Sequence, residues 1–459
     1  MARKATSKPG SGTSELPFTI VPKAAQGAVD GKTPLIPFID LFCGAGGLSV
    51  GFEKAGFKPV FALDNDSAAM ETFRFNHPDC KAVCSDIEQI QASDIFEAAG
   101  TKKIPVIVGG PNCQGVSLRG KRDPNDPKNK MFHHFHRLID EVQPDWFVME
   151  NVPGLLHKHN RELASDIFRA FEDIGYRCGA DVLLAADYGV PQLRYRLFLI
   201  GNRHGQPIVF PTPTHSCPFE QLGLQDTIFS KFEREKPSWR TVADAIGDLP
   251  PIENGGGLPE VAGFFKGRRA ENEFVKWCRR KEQDLKNHVC HRTNDYNINL
   301  IQHIPQGKNW KCIPIDIRPP RFKRVALKDH TTTYGRLSWN MPARTITCYF
   351  NNITCGAFTH PEQQRGISVR EGARIQSFPD EFQFFGPLAR QYRQVGNAVP
   401  CLLASHIAKT LADQINGGSV KGENYLQAAV EFSKAKNDLV FNRPLKGMRF
   451  NLDKYLVTK

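Results

Sequence analysis

Four side chains in the first half of this chain are of types that make and break bonds, and their settings are alike. Cys113 stands in VGGPNCQGVS (residues 108–117), where a strand-like stretch runs into two glycines and a proline. Glu150 ends the strand-like DWFVMEN (145–151), and the Asn and Pro of ENVPG would stop that strand and fix the carboxylate's direction. Arg194 and Arg196 lie two apart in QLRYRLFLIG (192–201). A thiol and a carboxylate on adjacent loops are the pair that covalent acid–base catalysis requires. Arginines at period two present a cationic ridge to an anion or a polarised carbonyl. Each residue also has a plain structural alternative: a core cysteine, a strand-end glutamate, an exposed charge pair on an edge strand.

A second group suits a ligand rather than a reaction. FIDLFCGAGGLSVGF (38–52) places Gly44, Gly46 and Gly47 directly after a strand and before a helix. Glycines there let a ligand approach the backbone, and the helix N-terminus adds partial positive charge. Asp64 ends the next strand, 20 residues after Gly44, where a carboxylate would accept from ribose hydroxyls. Asp86, in SDIEQI (85–90), would serve an adenine edge in the same way. For each of these acids, Asp66 included, capping a helix is the alternative.

These groups need a frame that brings them to one edge. LIPFIDLF (35–42), KPVFALD (58–64), PVIVGG (105–110) and DWFVMEN (145–151) read as buried strands. Helix-like segments at about 47–56, 66–76, 131–142 and 160–174 accompany them. Such alternation implies an α/β fold, a mostly parallel sheet with helices on both faces. Ligands then sit beyond the carboxyl ends of the strands, where Gly44, Asp64, Cys113 and Glu150 all fall. After RLFLIGNRHG (196–205) the regularity fails, and residues 205 to about 365 are Pro- and Gly-rich with basic clusters KGRR, CRRK and RPPRFKR. It returns at ISVREGARIQSFPD (367–380) and in the apolar pattern from Val399 to about Ile415.

Composition bounds the function. A chain of 459 residues accommodates two to three domains. Sixty Lys plus Arg against 48 Asp plus Glu leave a formal charge of +12 and a pI near 9.1. That favours a polyanionic partner, nucleic acid above all, although a merely basic protein has the same balance. Twelve scattered cysteines and no apolar signal segment fit a reducing cytoplasm. No run approaches the roughly 18 apolar residues of a membrane span. A soluble intracellular protein is expected.

Taken in order, the blocks DLFCGAGG, FALDND, SDIEQI, GGPNCQGVS, ENVPG, QLRYR, ISVREGARIQSFPD and QYRQVGNAVP (391–400) resemble those of the cytosine-C5 DNA methyltransferases of the bacterial restriction-modification type. They cover residues 38 to about 204 and 366 to about 415. The resemblance implies a Rossmann-like SAM-dependent methyltransferase fold with an inserted target-recognition domain. It divides the chain into a mobile basic tail (1–30), a catalytic domain (31–204 plus 366–459) and a target-recognition domain (205–365). It makes Cys113 the nucleophile, sets Glu150 on the N3 and amino group of cytosine, and has Arg194 and Arg196 help hold the base. Phe42, Gly44, Gly46, Leu48, Asp64, Asp86, Ile87, Asn397 and Val399 would line the pocket for S-adenosyl-L-methionine.

The implied reaction transfers a methyl group from that donor to C5 of a flipped-out cytosine in a specific double-stranded DNA sequence, through a covalent Cys113–C6 adduct and without a metal. A cognate restriction endonuclease acting on the same site, a monomeric state and the bacterial cytoplasm, at the nucleoid, complete the expectation. Transfer RNA, used by one branch of the family, is the alternative substrate. A DNA-binding module that has lost catalysis is disfavoured because all four reactive residues are present. One position departs from the family pattern: Asn112, where a proline usually precedes the nucleophile. Asparagine restores an N–H and tolerates left-handed backbone that proline forbids. NHVCHR (287–292) lacks the paired spacing of a structural zinc site. The histidines of HHFH (133–136) are expected to meet phosphates or solvent, and RPPRFKR (318–324) to contact phosphates or stand as a solvated charge run.

Overall fold

The computed structural model describes residues 35–111, 130–156, 161–217, 236–265, 271–279, 284–324, 330 and 332–417. Cys113, Asn112, KGRR, part of CRRK and the N-terminal tail lie outside the described residues.

Strands β1 (Ile36–Leu41), β2 (Phe57–Asp64), β3 (Lys81–Cys84), β4 (Val106–Gly109), β5 (Trp146–Asn151), β6 (Arg177–Leu184), the two-residue β7 (Gln192–Leu193) and β8 (Tyr195–Asn202) follow one another in the first half of the chain. All but β7 join a seven-stranded sheet in the order β3-β2-β1-β4-β5-β8-β6. The pairs from β3 to β5 are parallel, whereas β8 runs antiparallel to both β5 and β6. Helices α1 (Gly47–Lys54), α2 (Ser67–Asn76), α3 (Ala92–Ala99), α4 (Lys130–Val142) and α5 (Arg161–Asp173) lie between the strands.

The period-two alternation of the central strands builds two cores, one on each face. Ile39, Leu41, Ile107, Phe147, Met149, Leu197 and Leu199 meet Ile95 of α3, Phe135 and Leu138 of α4, and Ile167 and Phe171 of α5. Their neighbours Phe38, Val106, Val108, Trp146, Val148, Phe198 and Ile200 face the other way. There they meet Leu48 and Phe52 of α1 and Leu403, Ile407 and Leu411 of the helix Cys401–Ile415. Strands covered on both faces are apolar at nearly every position, the buried Asp40 of β1 excepted, which is why these runs lack a polar side.

The chain returns to the sheet after residue 366. Helix α1 and helix Cys401–Ile415 touch at backbone distance: a Cβ on Gly51 would lie 2.4 Å from the Ala404 Cβ and 2.6 Å from the Cys401 carbonyl oxygen. Helix Val369–Ile375 is buried throughout; its Glu371 and Arg374 are ion-paired and its Arg370 is held by three carbonyls. Arg365 holds Glu371 through two 2.7 Å bonds, and Arg374 joins Asp380 at 2.6 and 2.8 Å and Asp248 at 3.0 Å. Between the two halves, Leu300, Ile301, Ile304, Trp310, Ile313, Phe322, Tyr334 and Ile353 form a small core of their own.

Candidate active site

The cofactor-side residues converge where β1 leaves the sheet. Phe42 (φ 64°), Gly44 (φ 53°) and Gly46 (φ 100°) turn the chain through left-handed backbone into α1. A non-glycine residue held there stores local strain, a feature of ligand-binding turns. A Cβ on Gly46 would strike the His77 ring at 2.6 Å, whereas one on Gly44 would meet nothing within 4 Å. The open side of Gly44 is a cradle that a ligand can enter. Helix α1 has no side-chain cap, so the N–H groups of its first turn remain available for a ligand's negative end.

Asp64 fixes this turn from the next strand. One of its carboxylate oxygens accepts from Gly44 N–H at 2.9 Å and the other from Asp66 N–H at 2.9 Å. Burial pushes its carboxyl above the ordinary value, opposed by those N–H groups. Asp66 caps α2, accepting from Ala68 and Ala69. Asp86 follows β3 and accepts from Glu88 N–H at 3.2 Å through one oxygen, so both acids cap a turn, and Asp86 does so with half of its carboxylate. The buried Ile87 sits in that same turn, and Arg137 of α4 donates to the Ile87 and Ile90 carbonyls at 3.1 and 2.8 Å. Nothing in the spacing of Arg137 announced this buttress. From the C-terminal return, the Val399 carbonyl oxygen lies 2.7 Å from where a Gly47 Cβ would be, and Asn397 is exposed at the end of helix Leu388–Asn397. Leu48 is buried in α1. Phe42, Gly44, Gly46 and Asp64 thus share one turn and Val399 abuts the helix it opens, whereas Leu48 packs into the core beneath that helix.

The reactive side adjoins it. Glu150, at the end of β5, takes a charge-assisted bond from Arg196 Nε at 2.6 Å. Its other oxygen lies 3.1 Å from where a Cβ on Gly110 would stand, which sets the carboxylate against the start of the loop that leads to Cys113. Asn151 donates to the Pro111 carbonyl at 3.2 Å and holds the start of that loop.

Arg194 departs from the expected ridge. It is 1% exposed and donates to the Ile346 carbonyl at 2.5 Å and to those of Gly396 and Ala398 at 3.1 Å each. The alternation that would have paired it with Arg196 begins only at Tyr195, because Arg194 occupies the break between β7 and β8. The adjoining Gln192 donates to Gln376 at 2.8 Å, and Gln376 donates to the Val395 carbonyl at 2.8 Å. Together they clamp residues 395–398 against the β7–β8 junction.

Three other stretches singled out in the sequence also find their surroundings here. His134 pairs with Glu88 at 3.3 Å and His136 bonds the Ala170 carbonyl at 2.9 Å, so these two do not wait for phosphates. His288 bonds Ser368 and the Pro250 carbonyl at 2.9 Å each, and Cys290 accepts from Gly255 N–H at 3.1 Å; both brace backbone. In RPPRFKR, Arg318 is committed to the Lys311 and Ile313 carbonyls, while Arg321, Lys323 and Arg324 are exposed.

A parallel sheet that opens through a glycine turn into an uncapped helix, with an acid at the tip of the next strand, defines a nucleotide-cofactor-binding α/β enzyme; the Glu150–Arg196 pair adds a group able to grip a base. The chain belongs to the C-5 cytosine-specific DNA methylase family, whose sequence pattern matches residues 36–413. It is 36% identical over 386 residues to the type II methyltransferase M.XorII of Xanthomonas oryzae pv. oryzae, covering 80% of this chain and 82% of that one. With the type II methyltransferase M.AgeI of Thalassovita gelatinovora it shares 33% identity over 437 residues, 81% and 98% of the two chains. Among solved structures, a prophage-encoded DNA modification methyltransferase (E. coli) superposes with a TM-score of 0.62 at 26% identity, covering 83% of this chain and 99% of the other. The methyl donor of the family is S-adenosyl-L-methionine. No described helix is long and apolar enough to cross a membrane.

Proposed function

We propose that this protein methylates C5 of a cytosine extruded from a specific double-stranded DNA sequence, with Cys113 as nucleophile. The observation that carries the reading is the Glu150–Arg196 pair, 2.6 Å apart and set directly beside Gly110 at the start of the Cys113 loop.

Cytosine C5 is too weak a nucleophile to attack an alkylating agent unaided. The Cys113 thiolate adds at C6, and the electron pair of the C5–C6 bond moves toward C5 and N3. Glu150 supports this step by bonding N3 and the exocyclic amino group as charge develops there. Arg196 orients the Glu150 carboxylate and offers its remaining donors to the base carbonyl. When bound, S-adenosyl-L-methionine would supply a sulfonium methyl to C5 and leave as the neutral thioether. Loss of the C5 proton and expulsion of the Cys113 thiolate restore the aromatic ring. Phe42, Gly44, Gly46, Leu48, Asp64, Asp86, Ile87, Asn397 and Val399 hold the donor, with Gly44 giving it access to the backbone. Arg194 acts one step removed, by keeping residues 396–398 against the site.

The base must leave the helix first, at a cost of a few kcal/mol offset by contacts in the pocket. We assign residues 31–204 with 366–459 to the catalytic domain and 205–365 to reading the target sequence; the small core around Trp310 lies within the latter, while Val242, Phe274 and Phe350 share a core with Val369, Phe378 and Tyr392 of the return. A restriction endonuclease of matching specificity is the natural partner, and the enzyme works as a monomer in the bacterial cytoplasm, at the nucleoid.

Labelled S-adenosyl-L-methionine offered with unmethylated duplex DNA or with tRNA separates the readings. Label on cytosine C5 of the duplex is expected. Label on tRNA alone would redirect the assignment to the RNA branch, and label on neither would leave a binding module.

A further inference from the structure

The second half of the chain brings one more cation to the reactive edge. Ala343–Arg344 pairs in parallel with β7, Ala343 opposite Gln192 and Arg344 opposite Leu193. The segment is pinned on both sides of Arg344. Ala343 N–H donates to the Pro191 carbonyl at 2.9 Å, the Thr345 hydroxyl to the Leu193 carbonyl at 2.8 Å, and Ile346 N–H to the Gln192 side chain at 2.8 Å. The backbone of Arg344 is thus fixed next to the residues that lead into Arg194 and Arg196. A few positions on, Tyr349 is 64% exposed, so the segment runs out to the surface.

Among the described residues, several buried guanidinium groups are held by more than one acceptor, although the Nε atoms of Arg194 and Arg240 have none. Arg194 reaches three carbonyls, Arg336 four carbonyls and the Gln364 side chain, Arg370 three carbonyls, and Arg374 two carboxylates. Arg344 is half-buried, yet among the described residues its side chain has neither a hydrogen-bond partner nor an acid. Burial alone lowers its pKa, with no carboxylate acting against it. A cation partly withdrawn from water without a counter-charge is unfavourable, and an anion brought to it offsets that cost. A guanidinium matches the two-oxygen face of a phosphate.

We propose that Arg344 anchors a backbone phosphate of the DNA strand that carries the target cytosine, beside the point where the extruded base enters the site. The assignment to that strand follows from position, since the phosphates flanking an extruded nucleotide are the ones nearest Glu150 and Arg196. It rests on the reading of this edge as a DNA cytosine methylation site.

Steady-state methylation of unmethylated duplex DNA, run over a series of salt concentrations, tests it with the full-length wild type, Arg344→Gln and Arg344→Lys. Loss of one phosphate contact should lower the slope of log affinity against log salt by about one. The Gln variant should accordingly show a KM for DNA raised about tenfold near 0.1 M salt, with the KM for the methyl donor unchanged. The Lys variant should keep most of the slope. An unchanged slope in the Gln variant, a Lys variant as impaired as the Gln one, or a parallel loss of methyl-donor binding would overturn the proposal. Absence of methylation by the wild type would instead sink the functional reading beneath it.

Discussion

Glu150 and Arg196 are a pair whose separate contributions can be measured. Under the proposed chemistry Glu150 touches the reacting base, so Glu150→Gln should lower kcat by about 10²- to 10⁴-fold, the range of positioned acid–base groups, with the affinity for the methyl donor unchanged. A kcat within twofold of wild type would remove Glu150 from the reaction. The two arginines should divide by readout. Arg194→Ala leaves three buried carbonyls without their donor and should destabilise the fold by about 3 kcal/mol or more in urea unfolding. Arg196→Ala, at the site itself, should lower turnover and, although it leaves Glu150 without its counter-charge, cost less stability than Arg194→Ala. Equal loss of stability in both variants would contradict this assignment of roles. Sequence brought both arginines to one edge but did not separate them: Arg194 is spent on three carbonyls, while Arg196 meets Glu150. A two-residue spacing signals a shared side only inside a continuous strand, and the break at Arg194 is invisible without its hydrogen bonds. The acids were legible as strand-end carboxylates, while the choice between ligand and cap at Asp86 depended on where Glu88 N–H points.

At the scale of elements, the glycine turn and α1 were readable because strand, glycines and helix follow in a fixed order. What packs on α1 was not. Gly47 and Gly51, four residues apart on one helical face, admit the Ala398–Val399 backbone and the helix Cys401–Ile415 at distances that any side chain would prevent. Gly51→Ala places its methyl 2.4 Å from the Ala404 Cβ. Overpacking of this kind should cost about 1–3 kcal/mol and, because α1 carries the cofactor turn, weaken methyl-donor binding by calorimetry. Unchanged stability and binding would mean that the two helices separate without consequence. β6 escaped the sequence reading because RCGADVLL mixes charge and glycine into an edge strand. The reversal of β8 had a usable signal: the 185–194 connection is too short for the dozen or more residues of a parallel crossover.

Across the whole molecule, the parallel sheet follows from apolar runs alternating with helical periodicity, and that much was legible. The C-terminal return was legible only through family resemblance, since its tie to the sheet depends on contacts between residues about 200 positions apart, such as Arg194 with Gly396. The same burial that joins the halves leaves an acid in the core. Burial raises Asp40 to about 7, against the pull of the Ser49 hydroxyl bonded to it at 2.6 Å. A carboxyl with a raised folded pKa contributes its full share of stability below about pH 4, and that share declines as pH rises toward 7. Asp40→Asn should therefore gain stability over wild type as pH rises from 5 to 8, followed by urea unfolding at each pH. A difference that stays constant across that range would show that Asp40 does not titrate as its burial dictates.

The central claim, that Cys113 bonds to C6 of a cytosine in duplex DNA, has a direct test. In a duplex carrying 5-fluorocytosine at the target position, methyl transfer leaves no C5 proton to remove, and the thiol cannot be expelled. Mass spectrometry after incubation with S-adenosyl-L-methionine should find the DNA strand, with one added methyl group, covalently attached to the peptide that contains Cys113. Methylation of ordinary cytosine by a Cys113→Ala protein at the wild-type rate, with no covalent complex formed on the fluorinated duplex, would contradict it.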